Sequence, residues 1–161
     1  MMNKLGFIIV SVILALIQTG CAEQSTWMSL NSSNPRIIWE VKPQADLENI
    51  TGEQISTPEF KMSDYVKGVV PGTVFTAYVE AGIVPDPNYA DNIYKVDETF
   101  YNRPFWYRTE FKIPADFDKE IIWLNFDGIN RKGQIYLNGN HLGDLDGFMH
   151  RGHFNVTQFL F

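Results

Sequence analysis

Ile121-Ile122-Trp123-Leu124-Asn125-Phe126 and Gln134-Ile135-Tyr136-Leu137-Asn138-Gly139 open the stretch that decides the fold, which runs on to Leu160. In Ile122–Phe126 successive residues alternate between two faces, and 134–137 repeat the same strand chemistry after a connection from Gly128 to Gly133. Asn138-Gly139 supplies the positive backbone angles that a tight hairpin turn requires. Asn155-Val156-Thr157 then reads as a short cap. A helix tolerates neither a two-residue period nor glycines at 128, 133, 139, 143 and 147, so this half of the chain is expected to be antiparallel sheet.

The bulk numbers agree with a packed fold. A chain of 161 residues that is 45% apolar and 14% aromatic can bury a core, and its length suits one domain. Lys and Arg number 13 against 19 Asp and Glu, a formal charge of -6 with no basic run, so no nucleic acid partner is expected. Trp27, Trp39, Trp106 and Trp123 fit either a β-rich core or a sugar-contacting surface, and core is the preferred reading.

The first residues are of another kind. After Lys4, the run from Leu5 to Ile17 carries no charge and is too short to span a bilayer comfortably, which reads as a signal peptide over residues 1–21. Thr19-Gly20-Cys21 resembles a bacterial lipoprotein cleavage box, with Gln18 where an aliphatic residue is usual. Cys21, the one cysteine of the chain, is then the lipidated residue, and the protein is exported to the periplasm, the outer membrane or the cell surface, anchored to a membrane by its lipid. An ordinary cleaved signal peptide is the rival reading. Residues 22–35, rich in Ser, Asn, Gln and Thr, read as a flexible tether, and residues 36–161 as the folded domain.

Within that domain, Ile37–Val41 is a first strand between Pro35 and Pro43, and Val66–Val70 is extended. Thr73 caps a helix in which Val74, Ala77, Tyr78 and Ala81 recur at helical spacing, with Gly82 at its stop. Pro85 and Pro87 make the following residues, through Asn92, a loop. Strand alternation returns over Phe105–Phe111. One short helix among several short antiparallel strands predicts two packed sheets.

These residues also carry a resemblance. Val70-Pro71-Gly72-Thr73-Val74, Ala81–Tyr89, Phe105-Trp106-Tyr107-Arg108, Phe126–Asn130, Ile135–Gly139 and Gly152–Thr157 resemble, in order, the amino-terminal sugar-binding domain of glycoside hydrolase family 2. The branch of β-mannosidases and exo-β-D-glucosaminidases is the best match. The resemblance implies an all-β, jelly-roll (galactose-binding-like) β-sandwich with one or two short helices, set before immunoglobulin-like domains and a catalytic (β/α)₈ barrel. Two glutamates of such a barrel perform a retaining displacement, and the barrel takes about 250 residues, more than this chain has. Phe159-Leu160-Phe161 stands where a further strand of the family's sandwich begins, so the chain is expected to be an amino-terminal fragment, incomplete at its carboxyl end and inactive alone. Its carbohydrate is then a β-mannoside or β-glucosaminide, and no cofactor is expected. A self-sufficient carbohydrate-binding lipoprotein of the cell surface is the alternative.

Asp86, Tyr89 and Asn92 lie in the loop that, by this resemblance, approaches the sugar. A carboxylate and an amide can fork hydrogen bonds to vicinal hydroxyls and a tyrosine can stack on a ring, although Asp86 and Asn92 also suit satisfying the loop's own backbone. Ala90 and Asp91 depart from the family's usual residues there. Asp144 and Asp146, with Asp127 expected near them, read first as solvated charges rather than as an acid and base pair or a calcium site. His150 and His153, three apart, have no third ligand at metal spacing, so no metal is expected. Arg108 and Arg131 are each expected to form a structural salt bridge.

Overall fold

The computed structural model describes residues 27–161 apart from 116, 118 and 119. The expected signal peptide and Cys21 therefore lie outside the described residues. In chain order the elements are β1 (Trp39–Pro43), α1 (Gly52–Ile55), β2 (Val66–Lys67), α2 (Val74–Glu80), α3 (Glu98–Tyr101), β3 (Phe105–Thr109), β4 (Trp123–Leu137) and β5 (Asn140–Asn155). The fold is mostly β with a few short helices. One antiparallel sheet has the order β2-β1-β3, and the other is the β4-β5 hairpin.

The hairpin turns where the sequence places it. Asn138 and Gly139 have φ of 49° and 80°, the pair of left-handed residues that a two-residue turn between right-twisted strands needs. The turn is also docked, since Gly139 N donates to Ser56 Oγ at 3.0 Å and Asn138 Nδ2 donates to Phe159 O at 2.6 Å. One expectation fails here. Residues 128–133 are not a connection between strands but the middle of β4, which keeps pairing with β5 through register shifts between Phe126 and Ile129 and between Ile129 and Arg131. The irregular residues are absorbed as bulges, which bend and twist a long ribbon without ending it.

In the other sheet β1 pairs with β3 from Trp39↔Thr109 to Pro43↔Phe105, two residues later than Ile37 would start it. The extended run from Val66 shortens to a two-residue strand. Gly68 N still donates to Trp39 O at 2.8 Å, but Val70 turns to another partner, accepting from Ser32 N and donating to Ser32 Oγ, both at 2.7 Å. Leu30 O accepts from Trp39 Nε1 at 2.7 Å, so part of the stretch read as a tether lies hydrogen-bonded along this sheet.

Helix α2 begins and ends as its sequence signals. Thr73 Oγ1 accepts from Thr76 N at 3.1 Å. Gly82, with φ of 69°, closes the helix while Gly82 N donates to Val79 O and Ile83 N to Tyr78 O. Two one-turn helices join it: α1, held by a reciprocal capping box between Thr51 and Gln54, and α3, capped by Asp97, which accepts from Thr99 N at 3.0 Å.

The core contains Val41, Ile55, Ala77, Tyr78, Ile135 and Leu145, with Val41 fully buried. The two sheets meet where Trp106 of β3 lies edge-on to Tyr136 of β4, centroids 6.1 Å apart. Beside that contact sits Arg108, 8% exposed. Its guanidinium donates to the carbonyls of Ile55 (2.9 Å), Thr57 (3.2 Å) and Phe60 (2.8 Å), to Glu40 at 3.1 Å and to Glu110 at 2.7 Å. The expected salt bridge of Arg108 is thus present, whereas Arg131 forms no ion pair among the described residues.

Removing a buried guanidinium that serves five acceptors strands them, so Arg108→Met is expected to lower the unfolding free energy by about 3–5 kcal/mol in urea titration. Arg108→Lys, which keeps the charge but loses the fork, is expected to fall between the two. Glu110 is held below its ordinary pKa, first by the hydrogen bond from Lys61 and then by Arg108. A depressed folded-state pKa stabilises above the unfolded value and is lost as pH falls through the folded one. The stability difference between the parent and Glu110→Gln is therefore expected to be present at neutral pH and to shrink as pH falls below the ordinary carboxylate range.

Candidate functional site

The loop that carries Asp86, Tyr89 and Asn92 leaves α2 and enters α3, and both ends are pinned by one aromatic cluster. Tyr78 of α2 meets Phe100 and Tyr101 of α3 edge-on at 5.3 and 5.7 Å and Phe105 of β3 at 6.4 Å, while Phe75 meets Tyr101 at 5.1 Å. Such edge-to-face rings add about 0.5–1.5 kcal/mol per pair beyond their burial. Arg103 caps the cluster 4.0 Å above the Phe100 ring. Burial raises the pKa of Tyr78 and Tyr101. At the base of the loop an open groove of about 380 Å³ runs between Phe75, Ile93, Val96 and Tyr101.

Within the loop, the Asp86 carbonyl gathers the three expected residues. It accepts from Tyr89 N at 3.1 Å and from Asn92 Nδ2 at 3.0 Å. Asp86 Oδ1 accepts from both Asn88 N (2.9 Å) and Asn88 Nδ2 (3.0 Å), and Lys95 pairs with Asp91 at 2.8 Å. Asp86 thus shapes its own turn, with Asn88 as a partner that the sequence reading did not single out. Among the described residues, Asp86 Oδ2, Asn92 Oδ1 and the Tyr89 hydroxyl make no hydrogen bond. Tyr89 is 74% exposed; a carboxylate oxygen and an amide oxygen can accept from hydroxyls, and an open aromatic ring can stack on a sugar.

The other candidates separate. Asp144 pairs with His141 at 2.8 Å and Asp146 with Lys132 at 2.9 Å, all on the exposed hairpin. Asp127 is not near them: it lies seven positions along β4 from Gln134, the partner of Asp144, which is roughly 20 Å of strand. His150 Nδ1 contacts Asp146 O at 3.1 Å, whereas His153 contacts the Asn125 side chain and stacks on Trp123. Among the described residues no three His, Cys, Asp or Glu are grouped to hold a metal ion.

Comparison with known proteins adds the family. The sequence profile of the glycosyl hydrolase 2 galactose-binding domain-like family matches residues 39–161. A mannosylglycoprotein endo-beta-mannosidase of Lilium longiflorum is 30% identical over 131 residues, 76% of this chain and 13% of that protein. An exo-beta-D-glucosaminidase of Streptomyces avermitilis is 27% identical over 64% of this chain and 12% of its own length. Among solved structures, a beta-D-mannosidase from Dictyoglomus thermophilum superposes with a TM-score of 0.58 at 30% identity, over 77% of this chain and 13% of its own. The exo-chitosanase of Amycolatopsis orientalis has a TM-score of 0.66 at 22% identity over 76% of this chain and 14% of its own, a likeness of fold. The chain thus spans about one-eighth of the length of these relatives.

Because Asp86 organises the turn, Asp86→Ala is expected to loosen it without unfolding the domain. Amide exchange at Asn88, Tyr89 and Asn92 should speed at least tenfold, with a global stability loss of only about 1 kcal/mol.

Proposed function

The chain belongs to the glycosyl hydrolase 2 galactose-binding domain-like family, and from that membership we propose that it is the sugar-binding and scaffolding domain of an exported family-2 glycosidase. The observation that carries this reading is the match of residues 39–161 to one small part of relatives several times longer, whose names are those of mannosidases and glucosaminidases. A catalytic (β/α)₈ barrel needs about 250 residues. In this reading the barrel's two carboxylates cleave a β-mannoside or β-glucosaminide by retaining displacement. The domain presents the 86–92 loop to the sugar, with Tyr89 against the ring and Asp86 and Asn92 on its hydroxyls or amino group. The same assembly supplies immunoglobulin-like domains between sandwich and barrel.

Export rests on the sequence alone, from the apolar run of Leu5 to Ile17 and the Thr19-Gly20-Cys21 box. It places the domain in the periplasm, the outer membrane or at the cell surface, tethered through lipid on Cys21.

The isolated 161-residue chain is expected to release no nitrophenol from nitrophenyl β-mannoside or β-glucosaminide, while a protein extended to the relatives' length hydrolyses one of them. In that longer protein Tyr89→Ala is expected to raise KM about tenfold. Turnover by the isolated chain would overturn the reading. Cys21→Ser should abolish incorporation of labelled fatty acid and release the protein from the membrane fraction.

A further inference from the structure

The outer face of the hairpin carries an arrangement that neither the loop nor the core uses. Strand alternation sends Leu124 and Phe126 inward and leaves Trp123 and Asn125 facing solvent, opposite Asn155 and His153 of β5. The Trp123 indole and the His153 imidazole stack with centroids 4.1 Å apart and planes 6° from parallel. The Asn125 side chain contacts His153 Nδ1 and so orients the imidazole behind the indole. With one ring face covered by His153, the 46% exposure of Trp123 comes from its other face and edge.

Next to this plate the chain forms an open groove of about 390 Å³, lined by Asn155, Thr157 and Gln158. That size falls within the ~300–1,000 Å³ of ordinary small-molecule sites. Asn155 Oδ1 is fixed by Thr157 N at 3.1 Å and Thr157 Oγ1 at 2.8 Å, and Thr157 Oγ1 accepts from Ile122 N at 2.9 Å. Among the described residues, the amide nitrogen of Asn155 and the side chain of Gln158 have no hydrogen-bond partner.

We propose that this face is a glycan-binding plate, in which Trp123 stacks on a neutral pyranose ring and Asn155 and Gln158 hydrogen-bond its hydroxyls. A pyranose presents a face of C–H groups, whose partial positive charge suits the negative face of an indole, and a rim of hydroxyls that both donate and accept. The groove lining has no ionisable side chain, so a neutral hexose suits it better than a cationic glucosamine or an acidic sugar. The plate is separate from the 86–92 loop and does not depend on the placement of that loop in a glycosidase.

The test titrates the protein, at the full length in which it is expressed, with β-linked mannotetraose whose glycosidic oxygens are replaced by sulfur, so that no turnover interferes. Intrinsic fluorescence and calorimetry are both read. Saturable binding is expected, weakened at least tenfold by Trp123→Ala and at least threefold by Gln158→Ala, and unchanged by both in circular dichroism. Trp123→Phe, which keeps a ring, should restore most of the affinity. Absence of binding up to about 10 mM, or equal affinity in the parent, Trp123→Ala and Gln158→Ala, would overturn the proposal. So would failure of acrylamide to quench Trp123 in the free protein, because the face would then be covered by protein. Trp123-independent binding defeats the plate alone and leaves untouched the glycosidase reading, which rests on the 86–92 loop and on hydrolysis of the nitrophenyl glycosides.

Discussion

A single guanidinium holds the domain's parts in register. Arg108 stands in the middle of β3, yet three of its five acceptors are carbonyls of Ile55, Thr57 and Phe60, at the end of α1 and in the segment that follows it. Backbone carbonyls buried without a donor cost about 1–3 kcal/mol each, so that irregular segment is stable beside the sheet only while the arginine is there. Its other two partners, Glu40 and Glu110, tie β1 and the end of β3 to the same point. From α1 the constraint passes on to the hairpin, since Ser56, the cap that follows α1, receives the hydrogen bond of Gly139 at the turn. The indole of Trp106, two residues before Arg108, meets Tyr136 of β4.

Local rules made some of this legible in the sequence. Asn138-Gly139, Thr73 with Gly82, and the prolines at 85 and 87 each fix a backbone conformation by their own chemistry, and each stands where its chemistry places it. The likeness to the glycosidase domain likewise came from short motifs in order, and the family match covers the same region. Residues 128–133 misled because bulges let irregular backbone stay inside a paired strand, and only the facing strand decides whether pairing continues. Thr51 and Gln54, three apart, are a capping-box signal that could have revealed α1, and Asp97 likewise marks α3. Single-turn helices, however, draw their stability from neighbours rather than from propensity.

The candidate site was legible as a loop but not as a geometry. Asp86, Tyr89 and Asn92 are close together because all three engage the Asp86 carbonyl or its turn, and Asn88 completes the Asx turn. The aromatic cluster around Tyr78 that fixes the loop's ends joins residues far apart in sequence. The same holds for the stack of Trp123 on His153, which depends on a register that no local pattern specifies. The domain therefore exposes aromatic and amide groups in two separate places, one at a clasped loop and one on a strand face.

If Arg108 and the α1 segment make one joint of the two sheets, the sheets cannot open independently. Native-state hydrogen exchange in rising, sub-denaturing guanidinium tests this directly, because it reads the opening free energy of each strand separately. The slowest amides of β1 and β3 and those of β4 and β5 should converge on one free energy with one denaturant slope. A hairpin that opens at clearly lower free energy, while β1 and β3 stay protected, would contradict the joint and with it the account of how this domain is held together.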